Sequence, residues 1–159
     1  MSDLIDWVEG QALENVRFHV QSADIILKEA NTTLTLLLAG VGGASAYVVK
    51  LLETGRPVWL LVAAIAFGLW LLCLSAWLIR GCLKIEPIDA PTNEPKNLFQ
   101  PKFSLEAIKE VEFENLQQRI DRIVRRNARV AVRLNRIRLC AVLTPFIAAV
   151  AAGVANRLF

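Results

Sequence analysis

The chain has 159 residues, of which 55% are hydrophobic and 21% charged, with a net charge of +3. This length allows one domain, or a membrane domain with helical extensions, and a mean hydropathy of +0.43 is high for a soluble globular protein. The three cysteines lack the spacing of metal ligands, and the chain has no phosphate-binding glycine loop, no HExxH motif and no GxSxG motif, so the common metal, nucleotide-hydrolysing and acyl-transfer signatures are excluded.

Residues 1–31 are predicted to form an amphipathic helix. Ser2 can cap its start, and apolar residues recur at every third or fourth position from Leu4 to Ala30. Six acidic residues against Arg17 and Lys28 give the segment a net charge of −4. We expect this acidic helix to lie in the cytoplasm, outside the membrane.

Two apolar segments then predict a transmembrane hairpin over residues 32–79. The first segment, residues 32–52, carries one charge, Lys50, and is longer than the ~20 residues that cross the hydrocarbon of a bilayer. Small residues at its centre, 39–46, favour close packing of helices. The second segment, residues 58–79, follows a tight turn and has Trp59 and Trp77 near its ends, where membrane interfaces favour aromatic rings.

A connector and a long helix complete the chain. Four prolines in residues 80–103 oppose a regular helix there, and Ser104 can cap a helix that we expect over residues 104–136. This helix leads directly into a weaker apolar segment, residues 137–159, which we predict to contain a third span with a kink at Pro145. The alternative for this last segment is a re-entrant or self-packed apolar helix.

A heptad pattern, which we call the seam, runs along the second half of the chain. Its apolar residues alternate in steps of three and four, and one asparagine, Asn127, interrupts them at an a position. An asparagine there favours a homo-oligomer of defined number, and we expect four copies; the alternative is packing against residues 1–31 of the same chain. The residues assigned to oligomerisation are Leu116, Ile120, Ile123, Asn127, Val130, Leu134 and Ile137.

Eight arginines, the arginine ladder, flank the seam from Arg119 to Arg138, and Asp121 is the one acidic residue in that interval. Guanidinium groups bind phosphate through paired hydrogen bonds, so the ladder predicts an anionic ligand. Three anions remain open: the acidic N-terminal helix, anionic lipid headgroups, and a nucleotide or single-stranded oligonucleotide held mostly by its phosphates. The residues assigned to the phosphate ligand are Arg119, Arg122, Arg125, Arg126, Arg129, Arg133 and Arg136.

The distribution of charge sets the expected orientation. Residues 80–138 carry thirteen Lys and Arg, whereas the turn at 53–57 carries only Arg56, so the positive-inside rule places the basic and N-terminal helices in the cytoplasm and the C-terminus outside. The sequence therefore predicts an all-α membrane protein: an N-terminal amphipathic cytoplasmic helix, three transmembrane helices, and a long basic heptad helix leading into the third span. The polar residues assigned to a pore are Asn31, Thr32, Thr35 and Thr144.

The layout resembles the small transmembrane effectors of bacterial anti-phage systems, such as the Pycsar, CBASS and Hailong systems. The resemblance is carried by the N-terminal helix, the two tight spans, the proline-rich stretch around Asn93, Glu94 and Pro95, and the long polar helix. Asp24 and Lys28 are farther apart than the pair found before the first span of Pycsar-type effectors. The resemblance implies a protein of the bacterial inner membrane that responds to a nucleotide signal supplied by a nucleotidyltransferase-type enzyme.

The residues alone predict an oligomeric membrane protein with a basic cytoplasmic helix. The resemblance implies a homo-oligomeric ion channel or pore, gated by a nucleotide or short single-stranded DNA at the arginine ladder. Membrane lipids are its other expected partners, and we expect no enzymatic activity and no cofactor. Two alternatives remain open. The first is a membrane adaptor whose basic helix recruits an acidic protein or anionic lipid, and the second is a phage-type holin.

Overall fold

The computed structural model describes residues 2–84, 93 and 95–158, of which 91% are helical and none is in a strand. This described part contains α1 Ser2–Glu53, α2 Val58–Leu78, α3 Pro95–Leu98, α4 Leu105–Val142 and α5 Thr144–Leu158. A π-helical turn, Ile79–Leu83, continues directly from α2. The all-helical class predicted from the sequence is therefore confirmed for the described residues. The prolines at 87 and 91 of the predicted connector lie outside them.

Helix α1 runs without a break through the position near residue 31 where the sequence predicted the change from a cytoplasmic helix to a span. It contains no proline, and the hydroxyl groups of Thr32 and Thr35 donate to carbonyls four residues earlier at 3.0 Å. Such bonds satisfy a hydroxyl within its own helix, so these polar residues do not interrupt α1. The helix ends in a turn at Gly55, whose φ of 59° glycine adopts without steric cost.

The contacts divide the chain into two compact units, and the division falls inside α1 and α4. Unit 1 comprises residues 1–26 and 85–129, and unit 2 comprises residues 27–84 and 130–159. The segments predicted from the sequence follow one another along the chain, whereas each unit joins segments that are distant in sequence.

In unit 1, α1 and α4 pack side by side and run parallel. Lys109 contacts Asp6, and Asn127 contacts His19, so the contacts advance in the same direction along both helices. The buried core consists of Val16, Leu116, Ile120 and Ile123, with Ala12, Leu13 and Val20 packed against it. Helix α4 begins where the sequence predicted, because the Ser104 hydroxyl accepts a hydrogen bond from the Ala107 N–H at 3.2 Å.

Unit 2 contains the apolar segments. Its core joins α1, α2, the π-helical turn and α4 through Ala30, Leu37, Leu71, Leu74, Leu78, Cys82, Leu134 and Ile137, and α2 also packs along α5. Gly40 lies at the contact between α1 and α2, where a Cβ would come within 2.6 Å of Leu71 Cδ1. A Cβ at Gly42 or Gly43 would meet no atom within 4 Å. The close packing predicted for residues 39–46 is therefore present on the Gly40 side of α1.

Among the described residues, α1 and α2 are long and apolar enough to cross a membrane, and the bent pair α4 and α5 would make a third span. Helices α4 and α5 meet at an angle of 43°. Pro145 has no N–H to donate to the Ala141 carbonyl, and the Thr144 hydroxyl donates to that carbonyl instead, at 2.5 Å. The kink expected at Pro145 thus takes the form of a helix break at Leu143. The exact number of spans and their topology remain predictions.

Candidate phosphate-binding face

The seam packs against α1 of the same chain. Leu116, Ile120 and Ile123 lie in the core of unit 1, and Leu134 and Ile137 lie in the core of unit 2 with Val130 packed against it. A helix from another copy would have to replace these contacts in order to use the same face. The role of these residues in oligomerisation therefore stays a prediction. Their observed partner in unit 1 is α1, and in unit 2 they pack in a core shared with α1, α2 and the π-helical turn.

Asn127 takes part in this pairing within the chain. The residue is buried, and its Nδ2 donates to the His19 carbonyl oxygen at 2.8 Å. A buried amide needs such a partner, because an unpaired polar group away from water is costly. In this position Asn127 sets the register of α4 against α1.

Helix α1 carries a heptad pattern of its own that matches this pairing. Its buried apolar residues Val16, Ala23, Ala30, Leu37, Ala44 and Leu51 are spaced by seven. This spacing is a heptad repeat, so the chain contains two heptad helices that can pair with each other.

Five arginines of the ladder belong to unit 1, and they differ in exposure. Only 11% of the Arg119 side chain is exposed, and its Nη1 lies 3.2 Å from Glu112 Oε1. Arg122, Arg125 and Arg129 are exposed and lie along one side of α4 at spacings of three and four residues. We call these three residues the arginine face. The remaining arginine, Arg126, is half-buried beside it.

Two residues of the arginine face lack a carboxylate partner within the described part of the chain. The Arg125 guanidinium makes no hydrogen bond or ion pair there, and the Arg129 Nε donates to the Arg125 carbonyl at 3.3 Å. Like charges three or four residues apart on a helix repel each other. A bound anion would remove that repulsion, so the geometry is suited to a phosphate-bearing ligand.

Lys109, which lies outside the predicted ladder, binds the acidic residues at the start of α1. Its Nζ lies 2.6 Å from Asp6 Oδ1 and 3.2 Å from Glu9 Oε2. The hydrogen bond to Asp6, followed by the one to Glu9, raises the pKa of the lysine above its usual value. In unit 1 these two carboxylates of α1 therefore bind a lysine, and they leave Arg125 and Arg129 unneutralised.

The three arginines of the ladder in unit 2 have different surroundings. The Arg133 Nη1 donates to the Gly81 carbonyl at 3.2 Å and so holds the π-helical turn against α4. Arg138 joins α4 to α1, since its Nη2 donates to Glu29 Oε2 at 2.5 Å and its Nε donates to Thr33 Oγ1 at 3.0 Å. Arg136 is exposed. Arg133 was predicted to bind the ligand, and in the structure it contacts the π-helical turn.

The residues assigned to a pore all belong to unit 2. Asn31, Thr32 and Thr35 are exposed on α1, whereas Thr144 is buried at the start of α5 and bonds to the Ala141 carbonyl. Their neighbour Thr33 is buried and accepts a hydrogen bond from Arg138. The lining of a pore stays a prediction for all four residues.

Within the described residues, no three His, Cys, Asp or Glu side chains are grouped as metal ligands. No protein-family model, curated protein or solved structure matches the chain. Support for a function therefore comes from the chain's own features, which are the apolar helices of unit 2 and the arginine face of unit 1.

Proposed function

We propose that this protein is a channel or pore assembled from several copies in a membrane, and that a nucleotide or single-stranded oligonucleotide controls it by binding to the arginine face. In this proposal the protein acts as an effector of anti-phage defence, as its layout implies. The observation that carries the proposal is the exposure of Arg125 and Arg129, side by side on α4, while Asp6 and Glu9 bind Lys109.

The spacing of the arginine face suits a ligand with several phosphates. Arg122 and Arg129 are seven residues apart, which corresponds to about 10 Å along a helix. A ligand with one phosphate contacts one or two of these side chains, whereas an oligonucleotide backbone can contact all three. Guanidinium contacts to phosphate make the affinity fall as the salt concentration rises.

The apolar helices of unit 2 support the membrane part of the proposal. Large apolar side chains such as Leu36 on α1 and Leu69 on α2 are exposed, as expected for surfaces that contact lipid or another copy. Because α1 of the same chain covers the seam, copies that keep this fold associate through such surfaces in unit 2. Four copies remain our expectation.

Binding tests the first part of the proposal. The detergent-purified full chain should bind a fluorescently labelled single-stranded DNA of twelve nucleotides, with an affinity that falls as salt rises. Reversing two charges of the face with Arg125→Glu and Arg129→Glu should weaken binding at least tenfold. The matched control reverses two exposed charges elsewhere in unit 1, with Arg17→Glu and Lys102→Glu. Equal affinities of the two double variants would contradict the assignment of the face.

Ion flux tests the second part. In liposomes, the wild-type protein should conduct ions at a rate that changes when the oligonucleotide is added, and the Arg125→Glu, Arg129→Glu variant should not respond. Absence of flux in either condition would remove the channel from the proposal. A membrane adaptor that binds lipid headgroups predicts a different result: the wild-type protein and the variant bind DNA equally poorly, and ion flux is absent in both.

A further inference from the structure

The π-helical turn Ile79–Leu83 follows the apolar helix α2 and packs against α4. Cys82 from the turn and Ile137 from α4 are both buried in the core of unit 2. The Arg133 Nη1 joins the two elements a second time, through its hydrogen bond to the Gly81 carbonyl. Turns of this kind are rare and frequently occur at functional sites. The turn and the adjoining part of α4 therefore form one surface of defined geometry at the end of α2.

Two side chains border Gly81 on this surface. A Cβ at Gly81 would come within 3.5 Å of Arg133 Cδ and 3.8 Å of Trp77 Cδ1, so the glycine leaves open a space that both side chains adjoin. The Trp77 side chain is exposed, at the end of an apolar helix where membrane interfaces favour an indole ring. The indole N–H and the guanidinium N–H groups are hydrogen-bond donors, so this place suits an acceptor.

Three exposed arginines meet at this place. Arg80 belongs to the turn itself, and Arg136 follows Arg133 by three residues, on the same side of α4. Within the described residues, Arg80 and Arg136 make no hydrogen bond or ion pair. Arg133 uses one of its five N–H groups for Gly81. Most of the donors of the three guanidinium groups are therefore available to a ligand.

The carboxylates of unit 2 do not neutralise these arginines. The unit contains two, of which Glu29 binds Arg138 and Glu53 lies at the opposite end of α2. An external anion is therefore favoured. Because the arginines stand beside an apolar helix and an interfacial tryptophan, the anion that fits best is one held at the membrane surface. Basic pockets between membrane helices on the cytoplasmic side bind phosphorylated lipid headgroups in this way.

We propose that Trp77, Arg80, Arg133 and Arg136 form a binding site for an anionic phospholipid, which we call the headgroup site. The headgroup phosphate lies against Arg133 and Arg136, Arg80 and the Trp77 N–H contact the rest of the headgroup, and the acyl chains follow the apolar surface of α2. This inference rests on the membrane location in the proposed function, and it does not require a nucleotide.

Native mass spectrometry of the detergent-purified full chain, which counts bound lipids, tests the site. The protein is offered phosphatidylglycerol, whose headgroup is negatively charged, and phosphatidylcholine with the same acyl chains, whose headgroup is neutral overall. The wild-type protein should bind phosphatidylglycerol about tenfold more tightly. Arg133→Gln with Arg136→Gln should lower this preference by about fivefold or more, with phosphatidylcholine binding unchanged. Arg80→Gln should lower it as well, and it leaves the contact between Arg133 and Gly81 in place.

Arg125→Gln with Arg129→Gln is the matched control, because it removes the same charge from α4 within unit 1. It should keep the wild-type preference, and an equal loss in both double variants would overturn the headgroup site. Equal binding of the two lipids by the wild-type protein would also overturn it. An excess of glycerol phosphate, which has no acyl chains, should not displace the lipid; displacement would assign the arginines to a soluble phosphate instead. These results depend on neither DNA binding nor ion flux, so the headgroup site and the nucleotide-gated channel can fail separately.

Discussion

At the scale of single residues, the arginines of one helix serve different purposes because their neighbours differ. Arg138 bonds to Glu29 and Thr33, whereas Arg125 has no carboxylate partner among the described residues. The sequence presents both as members of one series. The distinction comes from the side of α4 on which each residue lies. An exposed arginine such as Arg125 is therefore a better candidate for binding an external phosphate than Arg138 is.

Lys109 should link the stability of the protein to alkaline pH. Its pKa is raised by hydrogen bonds to Asp6 and Glu9, so the folded state holds the proton more tightly than the unfolded chain does. The resulting stabilisation is complete below the ordinary lysine pKa of about 10.4 and is lost as the pH rises through the higher folded-state pKa. Melting temperatures of detergent-solubilised protein between pH 8 and pH 12 measure this effect.

In that experiment, Lys109→Met should melt at a lower temperature than the wild-type protein at pH 8. The two melting temperatures should approach each other at the alkaline end of the series. Lys102→Met is the control, since Lys102 is an exposed lysine of the same unit, and its pH dependence should match that of the wild-type protein. Parallel curves for Lys109→Met and the wild-type protein would show that Lys109 contributes nothing that depends on pH.

At the scale of helices, the features that depend on local chemistry could be predicted from the sequence. The cap at Ser104, the turn before Pro57 and the interruption near Pro145 follow from nearby hydroxyl groups, glycine and proline, and the structure contains all three. The partner of the seam could not be predicted in the same way. A heptad pattern defines which face of a helix is apolar, but not which helix covers that face. The parallel pairing of α1 with α4 depends on contacts between residues about a hundred positions apart.

Asn127 provides a test of which helix covers the seam. Asn127→Ala removes the hydrogen bond to His19 and leaves a small void, so we expect a loss of about 1–2 kcal/mol in stability. The number of copies in detergent, measured by light scattering after gel filtration, should not change. Asn135→Ala is the matched control on the same helix, because Asn135 is exposed and alanine is the better helix former. A changed copy number with unchanged stability would indicate that the seam pairs between copies.

At the scale of the whole molecule, charge is divided unequally between the two units. By residue count unit 1 has a net charge of −4 and unit 2 of +7. The proposed phosphate ligand would therefore be attracted by the arginine face and not by unit 1 as a whole. This limits the number of phosphates expected to contribute to the salt dependence. The basic residues of unit 2 lie near the ends of its apolar segments or between them, and their unequal distribution favours one orientation in a membrane.

The distribution of basic residues predicts which side of the membrane each loop lies on, and cysteine labelling can test this prediction. Single cysteines are introduced into a chain without its natural cysteines, and spheroplasts are treated with a maleimide that does not cross the membrane. Thr54→Cys, in the turn after α1, should react in intact spheroplasts. That turn carries only one basic residue, Arg56, and the positive-inside rule places the less basic side outside. Lys102→Cys, before the basic part of α4, should react only after lysis.

Arg157→Cys near the end of α5 then decides the number of spans. If the bent pair of α4 and α5 crosses the membrane, this cysteine lies outside and reacts in intact spheroplasts. If only α1 and α2 cross, α5 ends on the same side as Lys102 and this cysteine reacts only after lysis. The second outcome would leave the proposed channel with two spans from each copy, and residues from α5 such as Thr144 could not line a path across the membrane. Reaction of Lys102→Cys in intact spheroplasts would instead reverse the orientation and place the arginine face outside, out of reach of a nucleotide made in the cytoplasm.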